Sequence, residues 1–372
     1  MNLGRLWAMA RKEMIQLRRD TRSLILAFVL PVLLLVLFGY AISFDVADIK
    51  TAVLDEDRSA ASRELIDAFR ASGYFTFSAD LERPGEIGAL LDRGSAQLVL
   101  VIPPDFSRKL GTGRPAELQA IVDGSDANSA TIILAYTRAI AQSYSLAVQF
   151  NGVPRVPPVT LESRVWFNEE LTSRNMIVPG LVAVIMMIVA AMLTSLTIAR
   201  EWERGTMEQL AATPVSRAEV VLGKLLPYVA IGLVDVAVSA VLGVFLFGVP
   251  FRGSPLLLAA ASTAFLFGGL GLGIYLSAVT RSQLLATQVA MVVTFLPAFL
   301  LSGFLYAIHN MPLILQGVTL LVPARYFVVV TRGIFLKGVG VEALYVQGML
   351  MLAFAVIGVV LAIRAFRKEL PG

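Results

Sequence analysis

Six apolar runs, each about 20 residues or longer, constrain this chain more than any other feature in it. A helix of that length crosses the hydrocarbon core of a bilayer. In lipid, only helices and closed barrels satisfy every backbone hydrogen-bonding group. Membrane helices are therefore expected over Leu24–Phe44, Met176–Ala199, Leu225–Phe247, Pro255–Val279, Leu284–Tyr306 and Val341–Ile363, with Pro31 a kink point in the first. Ala41-Ile42-Ser43 imitates a signal cleavage site, but the run before it exceeds the roughly 7–15 apolar residues of a signal core. An uncleaved anchor is expected. A hydrophobic content of 57% and a mean hydropathy of +0.75 fit a membrane protein and not a soluble domain.

Six crossings put both termini on one side, and basic residues say which. Arg5, Arg11, Lys12, Arg18, Arg19 and Arg22 precede the first run. Arg200, Arg204, Arg217 and Lys224 separate the second and third, and Arg281, Arg364, Arg367 and Lys368 share that side. The opposite short connections hold only Arg252, Arg325, Arg332 and Lys337. Both termini are thus expected in the cytoplasm. This orientation also accounts for the net charge of +4, and nucleic acid is not an expected partner. Within residues 1–23, Leu3, Leu6, Trp7, Ala10, Met14 and Leu17 recur at helical spacing, as in an amphipathic helix lying in the interface.

Residues 45–175 are polar and patterned like a soluble domain. Strands are expected at Ile49–Leu54, Tyr74–Ser78, Gln97–Ile102 and Glu117–Val122, with helices at Ala60–Ala71, Pro84–Arg93 and Asn128–Phe150. That alternation predicts a small α/β domain on the outer side, with an extended linker through Val153–Pro158. Ile308–Leu336 is apolar but interrupted by Pro312 and Pro323, so residues 308–337 are expected to form a re-entrant or interfacial hairpin on the outer face.

Catalytic chemistry is sparse. There is no cysteine, which excludes disulfides and thiolate sites, and His309 is the single histidine, which argues against His-ligated metals and His-based triads. No metal site is expected. The nearest approach to a P-loop, Ala218–Leu225, has Ala for the first Gly and Leu for the Ser/Thr, and it stands at a membrane-helix entrance. ATP binding by this chain is not expected. Gly269 and Gly273 form a G-x-x-x-G pair suited to close helix packing. Asp235 lies inside the third run, where a carboxylate either contacts a proton or cation or is satisfied by a neighbouring helix. Phe295 and Phe299 are pathway candidates for an amphipathic substrate, with helix packing and lipid contact as the plainer reading.

The polar island Arg200–Lys224 sits between two runs, tethered to the membrane at both ends. Read as a helix, it places Trp202, Thr206, Met207 and Leu210 on one arc and Glu201, Arg204 and Glu208 on the opposite one. Glu203 falls in the less polar arc, where a carboxylate needs a partner or water. Thr213-Pro214 stops that helix, and Ser216-Arg217-Ala218-Glu219 reads as a capping box for the next.

Glu201-Trp202-Glu203-Arg204-Gly205-Thr206-Met207-Glu208, followed by Thr213-Pro214 and Gly223-Lys224, resembles the E-x-E-x-G-T-x-E…T-P…G-K segment of ABC-2 type exporter permeases. Leu301-Ser302-Gly303-Phe304 with Asn310-Met311-Pro312 is similar to the outer end of that family's fifth helix. Pro323–Phe327 and Arg332–Gly338 are similar to the segment after it. The likeness spans essentially the whole chain and is nearest the bacterial multidrug branch with a large outer domain. It implies a membrane α-helical fold like that of type V ABC exporters, six transmembrane helices with an extracytoplasmic α/β domain inserted between helices 1 and 2. It divides the chain into a connecting helix (1–23), a first membrane helix (24–44), the outer domain (45–175), and helices 2–6 (176–372) with a coupling helix at 200–213.

The resemblance also implies roles. Glu201, Trp202, Glu203, Arg204, Gly205, Thr206 and Glu208 would couple the membrane helices to a separate ATP-binding cassette subunit, where Glu203 would find its partner. ATP and magnesium would reside on that subunit, leaving this chain without a cofactor. A second permease copy or a paralogue would complete the pathway, and a periplasmic adaptor is a candidate partner of the outer domain. The expected function is the permease subunit of an exporter in a bacterial cytoplasmic membrane, moving an amphipathic or drug-like substrate outward. A membrane-anchored receptor or sensor is the alternative. It explains the outer domain but not the six crossings or the polar island. An integral-membrane enzyme is weaker still, because Asp235 has no evident catalytic partner.

Overall fold

The computed structural model describes residues 1–42, 48–149, 166–168 and 172–366. The chain divides into two compact units, Met1–Ser43 with Val165–Gly372, and Phe44–Arg164. The linker expected over 153–158 and the last residues of the first run, Ser43 and Phe44, lie outside the described residues.

The first unit opens with α1 (Leu3–Arg19), capped by the Asn2 side chain, which accepts from the Gly4 N–H. A helical turn α2 (Thr21–Leu24), a π-turn over Ile25–Val29 and α3 (Leu30–Ala41) follow. The π-turn stands just before Pro31, whose ring removes one helical donor and disfavours the regular ladder. The apolar helix Ile25–Ala41 has 17 residues, shorter than the run expected from sequence.

The second unit comprises β1 (Ile49–Asp55), α4 (Ala60–Ala71), β2 (Phe75–Asp80), α5 (Glu86–Asp92), β3 (Leu98–Ile102), α6 (Phe106–Gly111), β4 (Gln119–Val122) and α7 (Ala127–Gln149). The sheet order is β2-β1-β3-β4, with β1 parallel to β2 and β3 and β4 antiparallel to β3. Every position of β3 is apolar because both of its faces are covered. Leu98, Leu100 and Ile102 pack with Phe69 and Ile133, while Val99 packs with Ala52, Leu54 and Leu81. Helix α6 has only six residues, too few to display a period, and the patterning does not foresee it.

The first unit resumes with α8 (Ser173–Glu203), α9 (Met207–Ala211), α10 (Arg217–Phe245), α11 (Pro255–Thr280), α12 (Gln283–Leu301), α13 (Leu313–Thr319), α14 (Pro323–Arg332) and α15 (Val341–Ala365). Helices α8, α10, α11, α12 and α15 are long and apolar enough to cross a membrane. Helix α13 meets Pro323–Lys337 at 80°, a bent pair and not a straight span.

Helix α8 is the axis of the bundle. Every residue from Ile177 to Ala191 is buried, and α3, α10, α11, α12 and α14 pack around it. Glycine sets the closest approach. A Cβ on Gly273 of α11 would lie 2.1 Å from Thr194 Oγ1 and 2.5 Å from the Ala191 carbonyl oxygen of α8, whereas one on Gly269 would make an ordinary 3.4 Å contact with Ala190. A second glycine face of α11 meets α15: a Cβ on Gly271 would lie 2.7 Å from the Gly358 backbone. Polar bonds reinforce the α8 seam. Thr194 Oγ1 donates to the Leu270 carbonyl at 2.9 Å, and Ser277 Oγ accepts from the N–H groups of Ile198 (3.0 Å) and Ala199 (2.8 Å).

Candidate functional site

The charged end of the bundle is built by α1 lying across the start of α10. Helix α1 buries Met9, Ala10, Glu13 and Leu17. Gly223 permits the crossing: a Cβ there would sit 2.6 Å from Met9 Cβ and 3.1 Å from the Leu6 carbonyl oxygen. The helix is then fastened along its length. The Asn2 N–H donates to Glu219 Oε1 at 2.6 Å, and Arg5 Nη1 donates to the Pro214 carbonyl at 2.6 Å.

Its centre is a buried ion cluster. Lys224, 1% exposed, donates to Glu13 Oε2 at 2.9 Å and to Glu201 Oε1 at 3.0 Å. Lys12 donates to the same Glu201 oxygen at 3.0 Å, and the Tyr228 hydroxyl donates to Glu13 Oε1 at 3.2 Å. Two ammonium groups face two carboxylates, which makes burial of the set tolerable. Glu201 Oε2 has no partner among the described residues. Glu201 also lines a cleft of about 400 Å3 with Lys12, Arg200, Arg204 and Gln209.

A second tie lies at the C-cap of α1. Arg200 Nη1 donates to Asp20 Oδ2 at 2.6 Å, and the Ser23 hydroxyl donates to the same oxygen at 2.7 Å. Burial pushes the Asp20 carboxyl up, but the Ser23 and Arg200 bonds outweigh it and hold the group below its usual value.

The island differs from the single helix expected over 200–213. Helix α8 continues to Glu203, the chain turns at Gly205 with φ +68°, and α9 begins at Met207. The left-handed Gly205 breaks the helical phase. The two carboxylates consequently exchange environments. Glu201, expected on the polar arc, is 3% exposed and ion-paired. Glu203, expected to await a partner in another chain, is exposed and held within this one: it accepts from the Gln283 N–H at 2.7 Å and from the Gln283 side-chain amide. The phase of this last turn is inherited from the membrane helix above it. The groups that meet it come from α1, from the start of α10 and from the start of α12, which island periodicity cannot reveal.

Trp202 lies under the Arg281 guanidinium, 4.6 Å from its ring centroid. Arg204, Gly205 and Glu208 are exposed, Thr206 is half-buried, and Met207 and Leu210 are buried. The capping box expected at Ser216 and Glu219 is present, with bonds of 3.3 and 2.8 Å.

The remaining candidates fall elsewhere. Asp235 on α10 is 4% exposed, and its Oδ2 lacks a hydrogen-bond partner among the described residues. Phe299 rings contact Phe295 at 5.5 Å, Phe304 at 5.7 Å and Phe38 of α3 at 5.9 Å, so Phe295 and Phe299 belong to an aromatic row that packs α12 on α3. Arg332, which the sequence marked only by its charge and as the first residue of a family-like segment, ties three element ends. It donates to the carbonyls of Met176 (3.1 Å), Gly303 (3.1 Å) and Phe304 (3.0 Å).

Residues 21–364 match the ABC-2 family transporter proteins. The chain belongs to the ABC-2 transporter family. It is 38% identical to the probable multidrug ABC transporter permease YbhS of Escherichia coli (strain K12), over 95% of this chain and 94% of that one. It is 33% identical to the probable multidrug ABC transporter permease YbhR of the same organism, over 92% of each. It is 28% identical to the inner membrane transport permease YhhJ, over 86% of this chain and 85% of the relative. This ABC-2 chain is thus a permease-type subunit of an ABC transporter and a multi-pass inner-membrane protein, and its family implies an ATP-binding partner.

Proposed function

We propose that this permease exports an amphipathic, drug-like substrate from the cytoplasm, driven by ATP hydrolysed with magnesium on a separate ATP-binding subunit. The observation that carries the reading is the ion cluster joining α1, the end of α8 and the start of α10 into one polar unit. Force applied to that unit reaches α8, the most buried helix of the bundle. In this reading Arg204 and Glu208 face the ATPase. Trp202, Glu203, Gly205 and Thr206 shape the turn that receives it, and Glu201 anchors the turn to α1. Relatives named multidrug permeases support the substrate class. Both termini and the island lie in the cytoplasm, and the α/β unit lies outside, where an adaptor can dock. A second permease half, identical or paralogous, encloses the pathway, with Asp235 and the Phe295–Phe299 row as its candidate polar and aromatic contacts.

Affinity purification from the native membrane tests the assembly. A P-loop ATP-binding cassette protein is expected to co-purify, with ATPase activity that substrate stimulates. Glu203→Ala is expected to lower that stimulation while the chain still inserts. Recovery without any nucleotide-binding protein contradicts the reading.

A further inference from the structure

Beyond the Gly271–Gly358 contact, the last turns of α11 and α15 flank a notch of about 440 Å3. Tyr275, Val279, Arg281, Leu361 and Arg364 line it. Apolar side chains flank the guanidinium groups and stand open: Val279 is 58% exposed and Leu361 38%, surfaces that in a membrane protein meet acyl chains. Two guanidinium groups share this notch, and among the described residues no carboxylate lines it. Among the described residues, neither arginine enters an ion pair. The nearby acids are engaged elsewhere, Glu203 by Gln283 and Asp20 by Arg200. Both arginines stand at helix C-termini, where a cation is favoured, but that placement supplies neither with a counter-anion.

We propose that this notch binds the phosphodiester headgroup of an anionic phospholipid. Arg281 and Arg364 take the phosphate, Tyr275 stands at the rim, and the acyl chains follow Val279 and Leu361. A basic pocket between membrane helices at headgroup level has the chemistry to select such a lipid over a zwitterionic one. The site touches the island. Arg281 stacks over Trp202, and two residues later Gln283 holds Glu203. An occupied notch therefore steadies the Arg281–Gln283 turn on which the island leans. That consequence rests on the coupling role proposed above; lipid binding itself does not.

The test is competitive lipid retention by the purified full-length chain, equilibrated with mixed micelles of phosphatidylglycerol and phosphatidylcholine and read by native mass spectrometry. Wild type is expected to retain phosphatidylglycerol preferentially. Arg364→Gln and Arg281→Asn are each expected to reduce that retention about fivefold. Asn is chosen at 281 because φ there is +54° and Asn tolerates the left-handed region. Arg18→Gln, on the exposed side of α1, is expected to leave retention unchanged. A thermal scan confirms that each variant is folded, and Arg364→Gln decides the matter if Arg281→Asn is not. Equal retention of the two lipids, undiminished retention in Arg364→Gln, or an equal loss in Arg18→Gln overturns the proposal.

Discussion

Lys224 donates a 2.9 Å hydrogen bond to Glu13 across 211 residues of chain, and both side chains are almost wholly inaccessible. Removing one member of a buried pair strands the other's charge, at a cost of about 3–5 kcal/mol. Lys224→Met is therefore expected to lower the thermal midpoint of the detergent-solubilised protein and to release α1. Glu13→Leu combined with Lys224→Met is expected to recover part of the loss, because the double change removes both charges at that contact. Differential scanning fluorimetry of the two variants checks this.

Gly273 has no room for a methyl group against α8. Gly273→Ala drives Cβ into the Ala191 carbonyl, a backbone atom that cannot rotate aside, and is expected to cost about 1–3 kcal/mol. Gly348 of α15 has nothing within 4 Å of the corresponding position, so Gly348→Ala is expected to change stability by no more than about 0.5 kcal/mol. Chemical denaturation in a fixed detergent compares the two.

These two sites also mark what was legible in the sequence. The membrane runs, the Ser216–Glu219 capping box and the Gly269/Gly273 packing pair are local signals, each contained within a few turns. Gly358, the partner of Gly271, is isolated in its own run and gains meaning only when α15 lies on α11. Lys224 was visible as the last residue of a family segment, yet its carboxylate partners on α1 and α8 are long-range. Glu201 and Glu203 were misassigned for the same reason: a two-residue choice of face is decided by neighbours that periodicity does not contain.

Asp235 carries a buried carboxylate oxygen without a partner among the described residues. Asp235→Asn removes the charge at nearly constant shape. It is expected to leave the thermal midpoint unchanged or raised, and to lower efflux of cationic compounds about tenfold. Efflux equal to wild type assigns Asp235 a purely structural place.

The Asp20–Arg200 tie should respond to acid alone. A carboxyl whose folded pKa is depressed stabilises the fold above its unfolded value, here near 3.8, and loses that contribution as pH falls through the folded value. Hydrogen-exchange protection of α1 is expected to be flat between about pH 5 and 8 and to fall below about pH 4. Asp20→Asn is expected to reduce protection at neutral pH by about 0.5–1 kcal/mol, since the pair is only partly buried.

The coupling role of the island is tested most directly at Gly205. Its φ of +68° and its N–H bond to the Trp202 carbonyl are both incompatible with proline. The measurement is substrate-stimulated ATPase activity of the reconstituted transporter carrying Gly205→Pro, with membrane insertion and ATPase-subunit binding scored in parallel. The account predicts a folded, inserted assembly whose basal hydrolysis persists and whose stimulation by substrate is lost. Stimulation and efflux equal to wild type would contradict it.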